Sequence, residues 1–139
     1  MADDEPAGEL AVMTVAMPKD TNPAGDIFGG WLMAQMDLAA GVLGMARAQG
    51  RVATVAVDGM SFHQPVLVGD TVGCWGTLVH VGRTSFKVRV ETWVRRGRPR
   101  APLKVTEGVF TLVALDDAGH PRPVPAEPPP AGAPPPQSP

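Results

Sequence analysis

The sequence predicts an α+β domain in which one long apolar helix is wrapped by an antiparallel sheet. Three observations support this fold class: an apolar stretch of helical length, several runs of strand-like residues, and short turn-forming connections between consecutive runs. With 139 residues and 44 % hydrophobic content, the chain is long enough for one core and too short for two. We therefore expect a single domain built around the helix.

The predicted helix follows a turn and is apolar on nearly every side. The turn formers are Asn22, Pro23, Gly25 and Asp26. Asp26 is expected to cap the helix, because a short carboxylate accepts hydrogen bonds from first-turn N–H groups. From Phe28 onward the apolar residues are Trp31, Leu32, Met33, Met36, Leu38, Ala39, Ala40, Val42, Leu43, Met45 and Ala46. A helix without a polar face is normally buried on every side, so this one is expected to be the core.

Five runs of strand-like residues surround the helix in the sequence. Their predicted bounds are Leu10–Met17 before the helix, then Arg51–Phe62, Thr71–Val81, Ser85–Arg95 and Lys104–Leu115. The fourth run alternates most cleanly, with Phe86, Val88, Val90 and Val94 inward and Lys87, Arg89, Glu91 and Arg95 outward. Because the connections are short, the last four strands are expected to form an antiparallel meander whose inner face packs on the helix.

The two ends of the chain are expected to lie outside the domain. We predict a flexible N-terminus over residues 1–9, a domain over residues 10–120 and a disordered tail over residues 121–139. Ten of the last nineteen residues are proline, and such a segment buries too little surface to offset its ordering entropy. A proline-directed docking motif is the alternative, but the tail lacks basic or aromatic anchors.

Composition excludes several functional classes. A net charge of −2 favours neither nucleic acid nor a membrane surface as a partner, and no apolar run approaches the roughly 18 residues of a membrane span. Asp3, Asp4 and Glu5 are unlike the basic start of a secretion signal. A single cysteine, Cys74, suits a reducing cytoplasm, and its strand-like surroundings favour a small buried hydrophobe over a nucleophile.

Two features of the helix do not fit a simple core role. Asp37 is the only acidic residue between Phe28 and Gln49, and an unpaired buried charge is prohibitive, so it must face a cleft or a partner or shift its pKa. The glycine pair at positions 29 and 30 would let a ligand approach the backbone closely. The alternatives are a solvated Asp37 on a narrow exposed stripe with Gln35, and a glycine turn needed only for packing.

Basic residues are concentrated in one part of the chain. Eight of the twelve lie between Val81 and Lys104, namely Arg83, Lys87, Arg89, Arg95, Arg96, Arg98, Arg100 and Lys104, with only Glu91 opposing them there. For the turn Arg95–Arg100 a solubilising role is preferred. For Arg83, Lys87 and Arg89 a phosphate-bearing ligand competes with a solubilising strand face, since guanidinium and ammonium groups hold phosphates well.

Three runs of the sequence together resemble the hotdog-fold acyl-CoA thioesterases. They are NPAGDIFGGWLMAQMDLAAG, RVATVAVDGMSFHQPVLVGDTV and VGRTSFKVRVETWV, and they follow the family's order between about Met13 and Leu115. The resemblance is greatest to the short, single-domain bacterial YciA type, related to cytosolic acyl-CoA hydrolases. It implies a long helix wrapped by a five-stranded antiparallel sheet, hydrolysis of acyl-CoA, and two subunits joining their sheets edge to edge. CoA is then part of the substrate, and no separate cofactor or metal is expected.

The resemblance also implies catalytic roles, position by position. Asp37 matches the family's catalytic carboxylate, and Asn22 matches a loop asparagine implicated in related two-domain enzymes. Gly29 or Gly30 matches the glycine whose N–H polarises the thioester carbonyl, and Thr54 is similar to a threonine near the reacting group. Gly41 is a departure, because some distant members carry a hydroxyl there. His63, His80 and His120 match no functional position.

A second set of positions resembles the part of the family that contacts CoA. The segment comprises Val81, Gly82, Arg83, Thr84 and Ser85, and Arg83, with Lys87 or Arg89 assisting, is expected to hold the phosphates. Two other functions share the ligand. The first is a hotdog dehydratase or hydratase, which generally needs a paired histidine and carboxylate; no histidine lies in or beside the Asp37 helix, which counts against it. The second is a non-catalytic acyl-CoA sensor, which would keep the pocket without needing Asp37. Such a sensor would usually bring a DNA-binding module, for which the chain has no room.

Spacing along the helix adds a constraint of its own. Gly29 and Asp37 are eight residues apart, which places them roughly 12 Å apart along one helix axis. Both cannot touch one carbonyl group, so a site that uses both needs two helices and therefore at least a dimer. The strand Arg51–Phe62 is the expected seam, because its valine-rich edge would otherwise be open to uncontrolled pairing. Similar proteins also form tetramers and hexamers.

Overall fold

The computed structural model describes residues 5–97 and 101–127, and within them one α-helix packs against one five-stranded sheet, with a short 3-10 helix at Pro18–Asp20. The helix is α1 (Gly29–Ala48), and the strands are β1 (Glu9–Val15), β2 (Val52–Phe62), β3 (Thr71–Val81), β4 (Ser85–Arg95) and β5 (Pro102–Ala114). All five strands lie where the sequence predicts them, with bounds shifted by at most two residues. The predicted fold class is confirmed. Among the described residues, no helix is long and apolar enough to cross a membrane.

The strand order departs from the predicted meander at β2. All pairs are antiparallel, and the order across the sheet is β1-β3-β4-β5-β2, so only β3, β4 and β5 follow one another as a meander. The prediction that β2 pairs with β3 is wrong, because the eight residues between them are too many for a tight hairpin and carry the chain to the opposite edge. β2 is therefore an edge strand, and its side chains are largely exposed, Val55 to 60 %.

The core lies between α1 and the inner face of β3, β4 and β5. It is formed by Met36, Ala39, Ala40 and Ala48 of the helix with Cys74, Phe86, Val88, Val90, Phe110, Leu112 and Ala114 of the sheet. The predicted inward set of β4 is buried as expected. Glu91 is an exception to the predicted outward set, because it too is buried: it accepts a hydrogen bond from Trp93 Nε1 (2.9 Å), and its Oε1 lies 4.0 Å from Lys104 Nζ.

The helix is not buried on every side, contrary to the sequence-based expectation. One face packs on the sheet, and the opposite face leaves large apolar side chains exposed: Leu38 to 57 %, Val42 to 46 % and Met45 to 50 %. The composition of α1 alone predicts a buried helix, but one sheet covers only one of its faces. An exposed apolar surface of this kind is typical of an interaction site.

The chain continues in an ordered segment where disorder was predicted from residue 121. Residues 121–125, which we call the C-terminal strap, lie across the end of α1 and the turn between β3 and β4. Pro121 bridges to Leu115, and Val124 packs against the core. The prediction of disorder from proline content is wrong over this segment, because hydrogen bonds join it to the end of α1 and to the turn between β3 and β4, both far away in sequence. Residues 128–139 lie outside the described residues, as do 1–4 and 98–100.

Candidate active site

Asp37 lies on the exposed side of α1, at the edge of a cleft between the helix and β2. Its Oδ1 accepts a hydrogen bond of 2.6 Å from Thr54 Oγ1 on β2, and the cleft has a volume of about 400 Å³. The other lining residues are Leu38, Gly41, Val42, Met45, Val52 and Leu112. The structure thus brings Asp37 and Thr54 together, as the sequence comparison with the family implied, and it places the carboxylate in an otherwise apolar cleft.

Space beside Asp37 is provided by Gly41. A Cβ atom built on Gly41 would meet no atom within 4 Å, so the position one turn after Asp37 opens into the cleft. None of the residues that line this cleft is a histidine. The carboxylate and the Thr54 hydroxyl are therefore the chemically active groups that this chain supplies to it.

Asn22 organises the loop before the helix. Its Oδ1 accepts hydrogen bonds from the N–H groups of Ala24 (3.0 Å) and Asp26 (3.1 Å), and its own N–H donates to the Asp26 carbonyl (2.7 Å). Asp26 is thereby held inside the loop, and the prediction that it caps the helix is wrong. The N-cap residue is Phe28, which provides no side-chain hydrogen bond to the helix. The first N–H groups of α1 are consequently left without an intrahelical or side-chain partner.

The glycine pair at the start of α1 is required neither by backbone conformation nor by packing within the chain. Gly29 and Gly30 have no positive φ; a Cβ on Gly29 would come no closer than 3.8 Å to the Phe62 ring, and one on Gly30 would meet nothing within 4 Å. Gly44 is the contrasting case, since a Cβ there would lie 3.2 Å from the Phe86 ring. The alternative of a glycine turn needed only for packing is thus disfavoured, and the helix start is open to a ligand.

A second cavity, which we call the helix-start cavity, lies directly beside Gly29. Its volume is about 160 Å³, and its lining is mostly apolar: Ile27, Phe28, Leu32, Phe62, Pro65 and Val66, together with Gly29 and Gln64. An apolar cavity of about 150 Å³ is large enough to hold a benzene-sized molecule. The unpaired N–H groups of the helix start therefore border a space that suits a small apolar group.

One wall of the helix-start cavity is held by an ion pair that sequence reasoning missed. Asp70, which is 2 % exposed, accepts hydrogen bonds from Arg96 Nε (2.9 Å) and Nη2 (2.7 Å), and Nη2 also donates to the Pro65 carbonyl (2.9 Å). The Asp70 carboxylate raises the pKa of Arg96. The prediction that Arg96 belongs to a solubilising turn is wrong, because its guanidinium fixes the loop between β2 and β3.

The turn between β3 and β4 lies close to the cleft of Asp37. Gly82 N–H donates to the Ser85 carbonyl (2.7 Å), which closes the turn and leaves the Arg83 side chain exposed. The Thr84 carbonyl accepts a hydrogen bond from Ala114 N–H (2.9 Å), and Ala114 pairs with Val52, a residue that lines the cleft. The predicted CoA-contacting turn therefore adjoins the Val52 end of the cleft that contains the predicted catalytic carboxylate.

Arg89 is not brought to this turn, whereas Lys87 lies nearer to it. Both point outward from β4, but Arg89 is four residues from Ser85, roughly 14 Å along the strand. Arg89 lines a separate cleft of about 290 Å³ with Asp58, His63 and Glu107. Within one chain Arg89 therefore lies apart from Arg83, and its part in holding the phosphates stays a prediction.

Cys74 is excluded as a nucleophile by its surroundings. It is fully buried, its Sγ lies 3.4 Å from Thr92 Oγ1, and burial raises the pKa of the thiol, so the thiolate is disfavoured. The prediction of a small buried hydrophobe is confirmed. Among the described residues, no group of three or more His, Cys, Asp or Glu is arranged to hold a metal ion.

Known proteins are similar to this chain in both sequence and fold. Residues 24–101 match the sequence model of the thioesterase superfamily. The acyl-CoA thioester hydrolase YciA of Salmonella typhimurium is 48 % identical over 129 residues, which cover 90 % of this chain and 96 % of that protein. A hexameric thioesterase from Yersinia pestis superposes with a TM-score of 0.83 at 50 % identity, over 88 % of this chain and 99 % of that one.

A further solved structure, a hexameric broad-specificity acyl-coenzyme A thioesterase, gives a TM-score of 0.83 at 48 % identity, over 88 % of this chain and 85 % of that one. The resemblance seen in the sequence is confirmed, and the chain belongs to the thioesterase superfamily, among the hotdog-fold acyl-CoA thioesterases of the YciA type.

Proposed function

We propose that this protein hydrolyses acyl-CoA to a carboxylic acid and free CoA, at sites completed by two copies of the chain. The observation that carries the catalytic assignment is the exposed Asp37 carboxylate, oriented by Thr54 and set in an apolar cleft beside the predicted CoA turn. The Salmonella relative is an acyl-CoA thioester hydrolase, and the two similar solved structures are a hexameric broad-specificity acyl-coenzyme A thioesterase and a hexameric thioesterase.

Asp37 promotes attack on the thioester carbonyl in one of two ways. As a general base it takes a proton from water, whose oxygen attacks the thioester carbonyl; as a nucleophile it attacks the carbonyl itself and forms an anhydride that water then cleaves. Thr54 holds Oδ1, and Oδ2 has no hydrogen bond among the described residues, so Oδ2 is the atom that faces water or substrate. CoA leaves as the thiolate in both routes.

The start of α1 supplies stabilisation of the oxyanion. The N–H groups of Gly29 and Gly30 combine the positive end of the helix dipole with unpaired donors, and neither glycine carries a side chain that would keep the carbonyl away. With the carbonyl oxygen at this position, the acyl group extends into the helix-start cavity, whose apolar wall includes Phe62 and Leu32. The CoA portion extends toward Arg83.

Two chains are needed to combine these parts. Within one chain Asp37 and Gly29 line different cavities and are roughly 12 Å apart along the same helix. The exposed apolar face of α1 and the open edge of β2 are both surfaces that a second copy would cover. Pairing two copies of β2 would bring Asp37 of one chain toward Gly29 of the other, and larger assemblies would be built from such dimers.

The reaction needs no cofactor beyond the CoA that the substrate carries, and we place the protein in the cytoplasm, in keeping with its single buried cysteine. The absence of histidine from the cleft lining favours hydrolysis over a dehydratase or hydratase reaction. A non-catalytic acyl-CoA sensor would bind the same ligand as the enzyme and differs from it only in showing no turnover. The first assay is therefore hydrolysis of a panel of acyl-CoA thioesters, from acetyl to long-chain.

The catalytic assignment is tested by substitution. We expect Asp37→Ala to keep the fold and oligomer, because the side chain is exposed, and to lower kcat by about 10²- to 10⁴-fold, the contribution typical of a general base. Thr54→Val should lower kcat less, whereas Thr54→Ser, which keeps the hydroxyl, should stay near wild type. Asn22→Ala should reduce activity moderately through the loop. Wild-type turnover by Asp37→Ala would refute the assignment.

A further inference from the structure

The C-terminal strap is anchored by hydrogen bonds from two arginines. Arg122 donates from Nη2 to the Ala48 carbonyl (2.7 Å) at the end of α1, and from Nε to the Leu115 carbonyl (2.8 Å). Arg47 Nη1 donates to the Pro125 carbonyl (2.7 Å), and Arg122 N–H donates to the Ala114 carbonyl (2.9 Å). The strap is thus fixed at both ends, on the helix and on β5.

Between these anchors the strap makes one backbone hydrogen bond to the turn between β3 and β4. Val124 N–H donates to the Arg83 carbonyl at 2.8 Å, while the Val124 side chain packs against the core. The next carbonyl of the turn, that of Thr84, accepts from Ala114. Two consecutive carbonyls of an exposed turn are therefore held, one by the sheet and one by the strap.

We infer that the strap is a positioning element for CoA, and that the Val124 N–H holds Arg83 in the geometry that binds the CoA phosphates. This inference rests on the proposed function, in which the turn contacts CoA. A turn that carries a phosphate-binding arginine gains affinity when its backbone is ordered before the ligand arrives, because that ordering no longer has to be paid for on binding. The prolines on both sides of Val124 restrict the strap to extended conformations and so reduce its own ordering cost.

The hydrogen bond is tested by a pair of variants at one position. Val124→Pro removes the N–H and is compatible with extended backbone, to which a residue before proline is already restricted. Val124→Ala keeps the N–H and removes most of the packing. We expect Val124→Pro to raise KM for acyl-CoA about three- to tenfold with kcat nearly unchanged, the range that one hydrogen bond supplies. Val124→Ala should raise KM less than twofold.

Two parallel measurements separate a positioning role from a structural one. The first is hydrolysis of the N-acetylcysteamine thioester of the same acyl group, which lacks the nucleotide and should be unaffected by Val124→Pro. The second is the KM of Arg83→Glu for acyl-CoA. If Arg83→Glu raises KM and Val124→Pro does not, or if both Val124 variants raise it equally, the strap inference is refuted while the CoA role of the turn stands.

Failure of the proposed CoA role has a different signature. If Arg83→Glu leaves KM for acyl-CoA unchanged, the turn does not bind CoA and the strap inference falls with it. If instead Val124→Pro slows hydrolysis of the truncated thioester as much as that of acyl-CoA, only the strap inference is refuted, because the defect then lies in the fold and not in recognition of the nucleotide.

Discussion

A site shared between two chains predicts that two inactive variants restore each other. One variant is Asp37→Ala, and the other is Gly29→Val, whose side chain would occupy the approach to the helix start. Neither change should unfold the chain, because Asp37 is exposed and a Cβ on Gly29 would be in ordinary contact, 3.8 Å from Phe62. Each variant alone should be nearly inactive.

The recovered activity follows from counting sites. Equal amounts of the two variants, after full exchange of subunits, give mixed dimers as about half of all dimers. In a mixed dimer one site combines an intact Asp37 with an intact Gly29, and the other site carries both substitutions. We therefore expect about a quarter of wild-type activity, because half of the dimers have one of their two sites restored. A site contained within one chain would give none.

The assay must show exchange as well as activity. Two affinity tags of different kinds allow mixed dimers to be isolated, and release of CoA can be followed with a thiol-reactive dye. Each variant mixed with its own differently tagged copy is the control. Mixed dimers that form and stay inactive would refute the two-chain site, as would a stable monomer that hydrolyses acyl-CoA.

Three further predictions concern binding, specificity and stability. Arg83→Glu should raise KM for acyl-CoA more than it lowers kcat, increasingly so at low salt, and an equal loss with a truncated thioester would contradict the CoA role. Phe62→Ala should enlarge the helix-start cavity and raise kcat/KM for acyl chains beyond about six carbons relative to shorter ones; an unchanged chain-length profile would place the acyl group elsewhere. Arg96→Gln should lower the free energy of unfolding, measured in urea, by roughly 2–4 kcal/mol. This loss is smaller than that for a fully buried ion pair, because the Arg96 side chain is a third exposed. Adding Asp70→Asn should recover part of the lost free energy, because no unpaired charge is then left buried.

Local patterns predicted the elements of the fold well. β3 and β4 are found at their predicted bounds, and in β4 the alternation of apolar and polar residues directly reports which side of the sheet is buried. Glu91 does not follow this pattern, because it is buried beside Trp93, whose indole N–H donates a hydrogen bond to its carboxylate. Alternation shows to which side of the strand a side chain points, but not which other side chains cover it there.

Pairing and assembly could not be predicted in the same way. The position of β2 beside β5 depends on the path of an eight-residue loop, and that loop is fixed by Asp70 and Arg96, whose contact joins distant parts of the chain. The helix composition predicted burial on every side, whereas a single chain covers one face only. Asp37 stood out because a lone carboxylate in an apolar helix conflicts with a purely structural role, and its partner Thr54 came from the family resemblance.

The position of β2 in the sheet also affects how the chain folds during synthesis. β2 leaves the ribosome directly after the helix, but its partner β5 is the last strand to be made. Until then the valine-rich edge of β2 has no neighbour, and nothing holds Thr54 against Asp37. Pairing that spans most of the chain is slow and leaves strands open to association with other chains. We therefore expect catalytic competence to be the final event of folding, and chains truncated before β5 to aggregate.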